Sequence, residues 1–246
     1  MAATRVSSVA AYVPAAAIGV IAACLSIVGH EAVGHGGACL AAGGRVTLLN
    51  VVDFHCGIAR PWIDLAGSAG NLVLAAVGLA LARPVSPSGA RLLGLALFAF
   101  NAFWIAGYLI YAGALNAGDW VYPAQAWTPG LPWRPIAIVL GVILYVFAMR
   151  TIAVSTPAAA KTPLRTAYVA ATVATALAAA LYAPARVHVI QQAFLEFGAA
   201  SLGLWFAVRR ARGTGDWTPP PAMAWTVVAA GLWAAIALAM GPGLPR

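Results

Sequence analysis

Between positions 29 and 37 the chain reads Gly-His-Glu-Ala-Val-Gly-His-Gly-Gly, so His30, Glu31 and His35 fall together on an otherwise apolar stretch. An ionisable residue inside an apolar membrane segment costs at least about 2.5 kcal/mol and is a sign of function by default. Imidazole nitrogens ligate zinc well, and a neighbouring carboxylate can act as general base toward water activated by the metal. The usual helical arrangement spaces its histidines four apart, on one face. Here they are five apart, and on an ideal α-helix five residues turn through about 500°, leaving the rings roughly 140° apart. One π-type turn would restore the register, because residues i and i+5 then become stacked neighbours. Gly29, Gly34, Gly36 and Gly37 make that distortion cheap. The competing reading is that the extra residue has broken the site and the histidines bond to polar groups in a bundle.

Catalytic zinc takes three protein ligands and keeps one position open. Asp119, in the segment Asn-Ala-Gly-Asp-Trp at 116–120, is the first choice for the third. Its alternative reading is a solvated loop carboxylate. His55 and Asp53 in the first loop, and Asp64 shortly after it, are rivals; Asp64 could instead pair with Arg60 one helical turn earlier. Leu-Ala-Gly-Ser-Ala-Gly-Asn at 65–71 is a small-residue surface that permits close helix approach. Its Asn71 could bond across a bundle or hold a substrate backbone near the metal, and Asn101 has the same two readings. Gln191, Gln192 and Glu196, with His188 just before them, form a polar stripe. It could tie helices together, line a water path or build a second site.

These groups must be positioned by membrane helices. The chain is 63% hydrophobic and only 8% charged, against roughly 25% charged in soluble domains, which is too little to cover a water-facing surface. Alternating ten-residue strand patterns are absent, which disfavours a β-barrel. The expectation is an all-α polytopic membrane protein of about seven transmembrane helices with a short strand-like first loop. The first apolar run, 10–40, is too long for one straight crossing; further spans fall at 61–82, 92–115, 135–153, 166–183, 188–208 and 222–241. Residues 45–60 read as a strand or hairpin-like loop. The turn at Pro184 is short, making the fifth and sixth spans antiparallel neighbours. Residues 1–134 form the core that carries the candidate site, and 135–246 add further helices to the same membrane domain.

The net charge of +8 is spread thinly over the loops, which fits anchoring in a membrane and not a nucleic-acid partner. A cleaved signal peptide is not expected, since no small-residue cleavage site precedes a soluble domain. Lys and Arg concentrate on the side of the N-terminus, so the positive-inside rule makes that side cytoplasmic and puts the loops with Asp53 and Asp119 on the outer side. High alanine content suggests a bacterial inner membrane. Cys24 reads as a small apolar core residue. Cys39 and Cys56 flank the first loop, where a disulfide between them, two buried thiols, or metal ligation by Cys56 with His55 are all open.

With these motifs in hand, the chain resembles the site-2-protease-like membrane metallopeptidases. The resemblance rests on Gly-His-Glu-Ala-Val-Gly-His-Gly at 29–36, the small-residue run at 65–71 and the Asp119 segment, and it covers roughly residues 20–120. It implies His30, His35 and Asp119 as zinc ligands, Glu31 as general base, Asn71 as a residue beside the substrate, and residues 45–60 as strands that clamp an extended substrate. The function it implies is hydrolysis of peptide bonds in membrane-embedded substrates. The partners would be membrane lipids and a transmembrane substrate or partner subunit. Three features depart from the family: the extra residue between the histidines, the lack of the proline-containing Asn…Asp-Gly pattern, and a site toward the outer face. A non-catalytic subunit or chaperone keeping the fold, and a metal-handling transporter, are the alternatives. Iron or copper would accept the same histidines.

Overall fold

A computed structural model describes residues 8–244 and is predominantly helical, with one small sheet. Helix α1 (Ser8–Ile27) runs without interruption into a π-helical segment, Val28–Gly36, and then α2 (Gly37–Ala41). Strands β1 (Val46–Leu49) and β2 (Phe54–Cys56) form an antiparallel hairpin in the first loop. Helices α3 (Pro61–Leu81), α4 (Ser88–Leu115), short α5 (Val121–Trp127), α6 (Trp133–Ser155) and α7 (Lys161–Ala179) follow. A broken run comes next: α8 (Arg186–Ala193), a π-helical segment Phe194–Ala199, and α9 (Leu202–Ala207). Helix α10 (Ala222–Ala239) is last.

Among the described residues, five helices are long and apolar enough to cross a membrane: Tyr12–Ala41, Pro61–Leu81, Ser88–Leu115, Trp133–Ser155 and Ala222–Ala239. The expected count of seven is thus reached only in part. Helix α7 opens on Lys-Thr-Pro-Leu-Arg and falls short in apolar character. The sixth run is interrupted by its π segment and the turn after it. Helices α7 and α8 do pack as neighbours, as the short turn at Pro184 requires. The long first run is accounted for by one continuous helix that is π-wound toward its C-terminal end.

Helix α4 is the central post, flanked by α1, α3 and α6, while α1 also packs on α7 and α10. Lipid tails are as apolar as these side chains, so close van der Waals fit and hydrogen bonds must hold the helices together. Small residues provide the fit. Where α3 crosses α4, a Cβ on Gly78 would lie 2.7 Å from the Gly94 carbonyl, and one on Gly94 would lie 2.6 Å from the Gly78 carbonyl. Cys24 packs in the core as expected. A buried polar tie joins α4 to α1: the Asn101 amide donates to Ser26 Oγ at 2.9 Å and to the Leu97 carbonyl at 2.8 Å. Asn101 is therefore a bundle tie, the first of its two readings.

The end of the bundle that carries the hairpin is stitched by a disulfide and a strand contact. Cys39, in α2, is bonded to Cys56, in β2, which leaves neither thiol for a metal. Leu49, the last residue of β1, exchanges two backbone hydrogen bonds with Leu244 in an isolated bridge. At the opposite end, the Arg91 guanidinium donates to the carbonyls of Ser155 (3.2 Å) and Thr214 (2.8 Å), joining three connections.

A double-mutant cycle on Ser26→Ala and Asn101→Ala, read by thermal unfolding in detergent, is expected to give a coupling energy of about 0.6–1.7 kcal/mol. Additive losses would show that the tie does not form. Without reduction, only Cys24 of the three cysteines should be open to alkylation in unfolded protein, and all three should be after dithiothreitol; mass spectrometry checks the difference.

Candidate metal centre

The π-helical winding over Val28–Gly36 answers the spacing problem directly. It carries His30 and His35 on one face, with ring centroids 4.7 Å apart and their planes nearly perpendicular. His30, Glu31 and His35 are all buried, at 2, 3 and 4% exposure. Helix α3 closes against this face because it presents small residues there. A Cβ on Gly34 would lie 2.6 Å from the Ala66 carbonyl. A Cβ on Gly70 would collide with the Gly29 carbonyl. One on Gly67 would collide with His35 Nε2 and lie 2.7 Å from His30 Nε2. Gly67 is therefore the wall of the site, and any larger residue would occupy the space in which the two imidazoles meet.

Asp119 arrives from the other side. Asn116 ends α4 in the left-handed conformation (φ 56°), and Gly118 also takes positive φ (88°), which glycine adopts without steric cost. The same glycine lets the turn lie on the Tyr108 ring, since a Cβ there would sit 2.6 Å from it. The turn delivers Asp119 Oδ2 to 3.2 Å from His30 Nε2 and 3.1 Å from His35 Nε2, while the two nitrogens are 3.1 Å apart. Three ligand atoms thus form a nearly equilateral triangle. Tetrahedral zinc with bonds of about 2.0–2.1 Å holds its ligands about 3.3–3.4 Å apart, so a small relaxation outward would accept the ion.

Hydrogen bonding around the triangle favours ligation. His35 Nδ1 donates to the Ile63 carbonyl at 2.8 Å. In the neutral ring this leaves Nε2 unprotonated, with its lone pair aimed at the centre, the usual outer-sphere device for a ligating histidine. His30 stacks on Trp104, with centroids 4.4 Å apart and 13° between planes, and its Nδ1 is buried without a partner. His35 stacks on Phe54 of β2 at 5.4 Å. Tyr108 donates to Asp119 Oδ1 at 3.4 Å. Burial pushes the Asp119 carboxyl up, but in the metal-free site His30 and His35, when protonated, outweigh it and hold it below the ordinary carboxylate range. Asp119 is accordingly an anion at neutral pH, the form a metal requires.

Beside the triangle lies a small polar cavity of about 50 Å³, bordered by Glu31, His35, Phe54, Asp64, Tyr108 and Asp119. Glu31 Oε1 is 3.9 Å from His30 Nε2. No fourth His, Cys, Asp or Glu joins the triad among the described residues, and the cavity has room for water.

The other sequence candidates fall elsewhere. His55 is exposed on β2. Asp53 accepts from the Asn50 amide at 3.0 Å, in a turn where Asn50 Oδ1 in turn accepts from the backbone of Val52 and Asp53. Asp64 borders the cavity, and no Asp64–Arg60 ion pair forms. Asn71 is fully buried one turn beyond Gly67, with neither amide atom partnered among the described residues and no place in the cavity wall. Glu196 and Gln192 line a different cavity, on α4's side toward the broken run, and do not share one with the histidines. Sequence reasoning missed Trp104, Tyr108, Phe54 and the carbonyl of Ile63. Only the first two left a signal: aromatic residues four apart on α4, leading into the Asp119 turn.

Compared with protein-family models, curated proteins and solved structures, the chain matches none. The functional reading therefore rests on the site itself.

Gly67→Ala is expected to abolish or sharply reduce metal content, measured by elemental analysis of detergent-purified protein, while the circular dichroism spectrum stays helical. Full metal content in that variant would mean that α3 and the π segment separate freely and that Gly67 is not the wall of the site. Tyr108→Phe should weaken metal binding by about 10-fold or more, the usual effect of removing an outer-sphere partner, as followed by competition with a chelating dye.

Proposed function

We propose that this protein is an intramembrane zinc metalloprotease, akin in its working parts to the site-2-protease-like enzymes, that hydrolyses peptide bonds of membrane-embedded substrates. The observation that carries this reading is the convergence of His30 Nε2, His35 Nε2 and Asp119 Oδ2 at 3.1–3.2 Å from one another, with Glu31 on the rim of the same polar cavity. Zinc, when bound, supplies Lewis-acid activation that makes water a nucleophile at neutral pH.

The chain's own residues have separate tasks. Asp119 contributes the negative charge of the ligand set, and Tyr108 orients it. The Ile63 carbonyl fixes the proton of His35 on Nδ1. Glu31 is buried at the cavity rim, where it takes a proton from water and delivers it to the leaving amine. Phe54 and Trp104 cover the two imidazoles and keep bulk water away from them. The hairpin offers strand backbone beside His35, to which an unwound substrate segment adds as a further strand.

Orientation follows from two features. A disulfide at the hairpin end fits an oxidising compartment. Arg83, Arg91, Arg150, Lys161, Arg165, Arg209, Arg210 and Arg212 all lie at or near the connections of the opposite end and favour a cytoplasmic position for it. We infer that the metal end faces outward in a bacterial inner membrane.

Purified wild type should hold about one zinc per chain, and His30→Ala, His35→Ala and Asp119→Ala should each lose most of it. Glu31→Gln should keep its zinc and lose cleavage of transmembrane substrates by about 10²-fold or more. Wild type that takes up no metal when zinc is offered would sink the centre. A Glu31→Gln variant as active as wild type would sink the protease and leave a metal-holding membrane subunit.

A further inference from the structure

Between α4 and the broken α8–α9 run lies a second cavity of about 200 Å³. Its α4 wall is aromatic: Trp104, Tyr108 and Tyr111 follow at helical spacing on one face. Its other wall comes from the π-helical segment Phe194–Ala199 and the last turn of α8, which contribute Glu196 and Gln192. The lining is otherwise made of apolar or small residues. Glu196 Oε2 is buried and has no hydrogen-bond partner among the described residues. Across the aromatic wall lies the candidate metal centre, for Trp104 stacks on His30 and Tyr108 bonds Asp119. Among the described residues, no Lys or Arg forms an ion pair with Glu196.

A carboxylate placed in an apolar membrane interior without a partner is costly, and such residues pair with a counter-charge or a substrate. Aromatic rings favour the same sign of ligand, since their π faces attract cations. The long apolar wall favours an aliphatic stem leading to that charge. We propose that this cavity is a binding pocket for a primary ammonium on an aliphatic stem, and specifically for a lysine side chain of the polypeptide whose backbone lies at the metal centre. The identity of the ligand as a substrate side chain rests on the protease reading; the ammonium site does not. Glu196 would pair with the ammonium, Gln192 would add a neutral acceptor beside it, and Trp104 and Tyr108 form the wall between the pocket and the metal ligands. The π winding at Phe194–Ala199 is then what aims Glu196 into the cavity, as the first π segment aims the histidines.

The test is calorimetric titration of zinc-loaded protein in a neutral detergent, with Nα-acetyl-lysine amide, its norleucine analogue and glycerophosphoethanolamine as probes. The lysine amide is expected to bind, the norleucine analogue to bind about 10-fold or more weakly, and glycerophosphoethanolamine not at all. The last has a two-carbon stem and a phosphate that Glu196 would repel. Glu196→Gln should abolish the preference for lysine while retaining zinc, which also reports that the variant is folded. His35→Ala, which empties the metal centre at a residue that stacks on Phe54 and not on the pocket wall, should leave lysine-amide binding unchanged. Failure of the metal centre would thus appear as lost zinc with the amine still bound. Equal binding of lysine and norleucine amides by wild type, or no binding of the lysine amide, would overturn the pocket. Binding of glycerophosphoethanolamine as tight as that of the lysine amide would make it a lipid-headgroup site instead.

Discussion

Everything at the hairpin end of this protein depends on bringing two imidazoles and one carboxylate to within about one ligand–ligand distance of each other inside an apolar bundle. With the proton of His35 committed to the Ile63 carbonyl through Nδ1, its Nε2 and Asp119 Oδ2 meet at 3.1 Å as two lone pairs. The arrangement becomes favourable when a cation occupies the centre. The surrounding architecture serves that convergence. A π-wound segment turns two residues five apart onto one face, and glycines let α3 lie flush against them. A left-handed break after α4 folds Asp119 back, and a disulfide holds α2 to the strand that covers His35.

The bundle also shows how a chain this poor in charge stays specific. Helices without a hydrophobic drive to associate in lipid must recognise one another by shape and a few polar ties. Small residues at the crossings of α3 with α4 and with the π segment supply shape, and the Asn101–Ser26 bond supplies a tie whose loss would leave a polar group in hydrocarbon. Helix α4 takes part in both and also carries Trp104 and Tyr108, so the element that organises packing is the one that buttresses the ligands.

Much of this was legible in the residues. Low charge and long apolar runs require a helical membrane bundle, and the Gly-rich surroundings of His30 and His35 pointed to a π turn. The small-residue surface at 65–71 implied close approach, and Asp119 was preferred as the third ligand. The span count was less readable. Helix α7 and the broken run after it are polar or interrupted enough to sit at the edge of any hydropathy argument, because packing against α1 and α4 supports segments that composition alone does not. The contributions of Ile63 and Phe54 were unreadable for a different reason. One acts through a backbone carbonyl, which every residue has, and the other through a stacking partner fixed only by how the hairpin folds over the helix.

The pairing of Leu244 with Leu49 has a consequence for how the sheet can grow. A two-stranded sheet has two outer edges with unpaired backbone groups, and each can template another strand. At Leu49 a single bridge to Leu244 occupies the end of the β1 edge, while no described strand lies along the far side of β2. An extended polypeptide that paired with this hairpin would find the β2 flank open along its described length. That flank belongs to the strand bearing Phe54, so a visitor seated there would be in register with the ring that lies over His35.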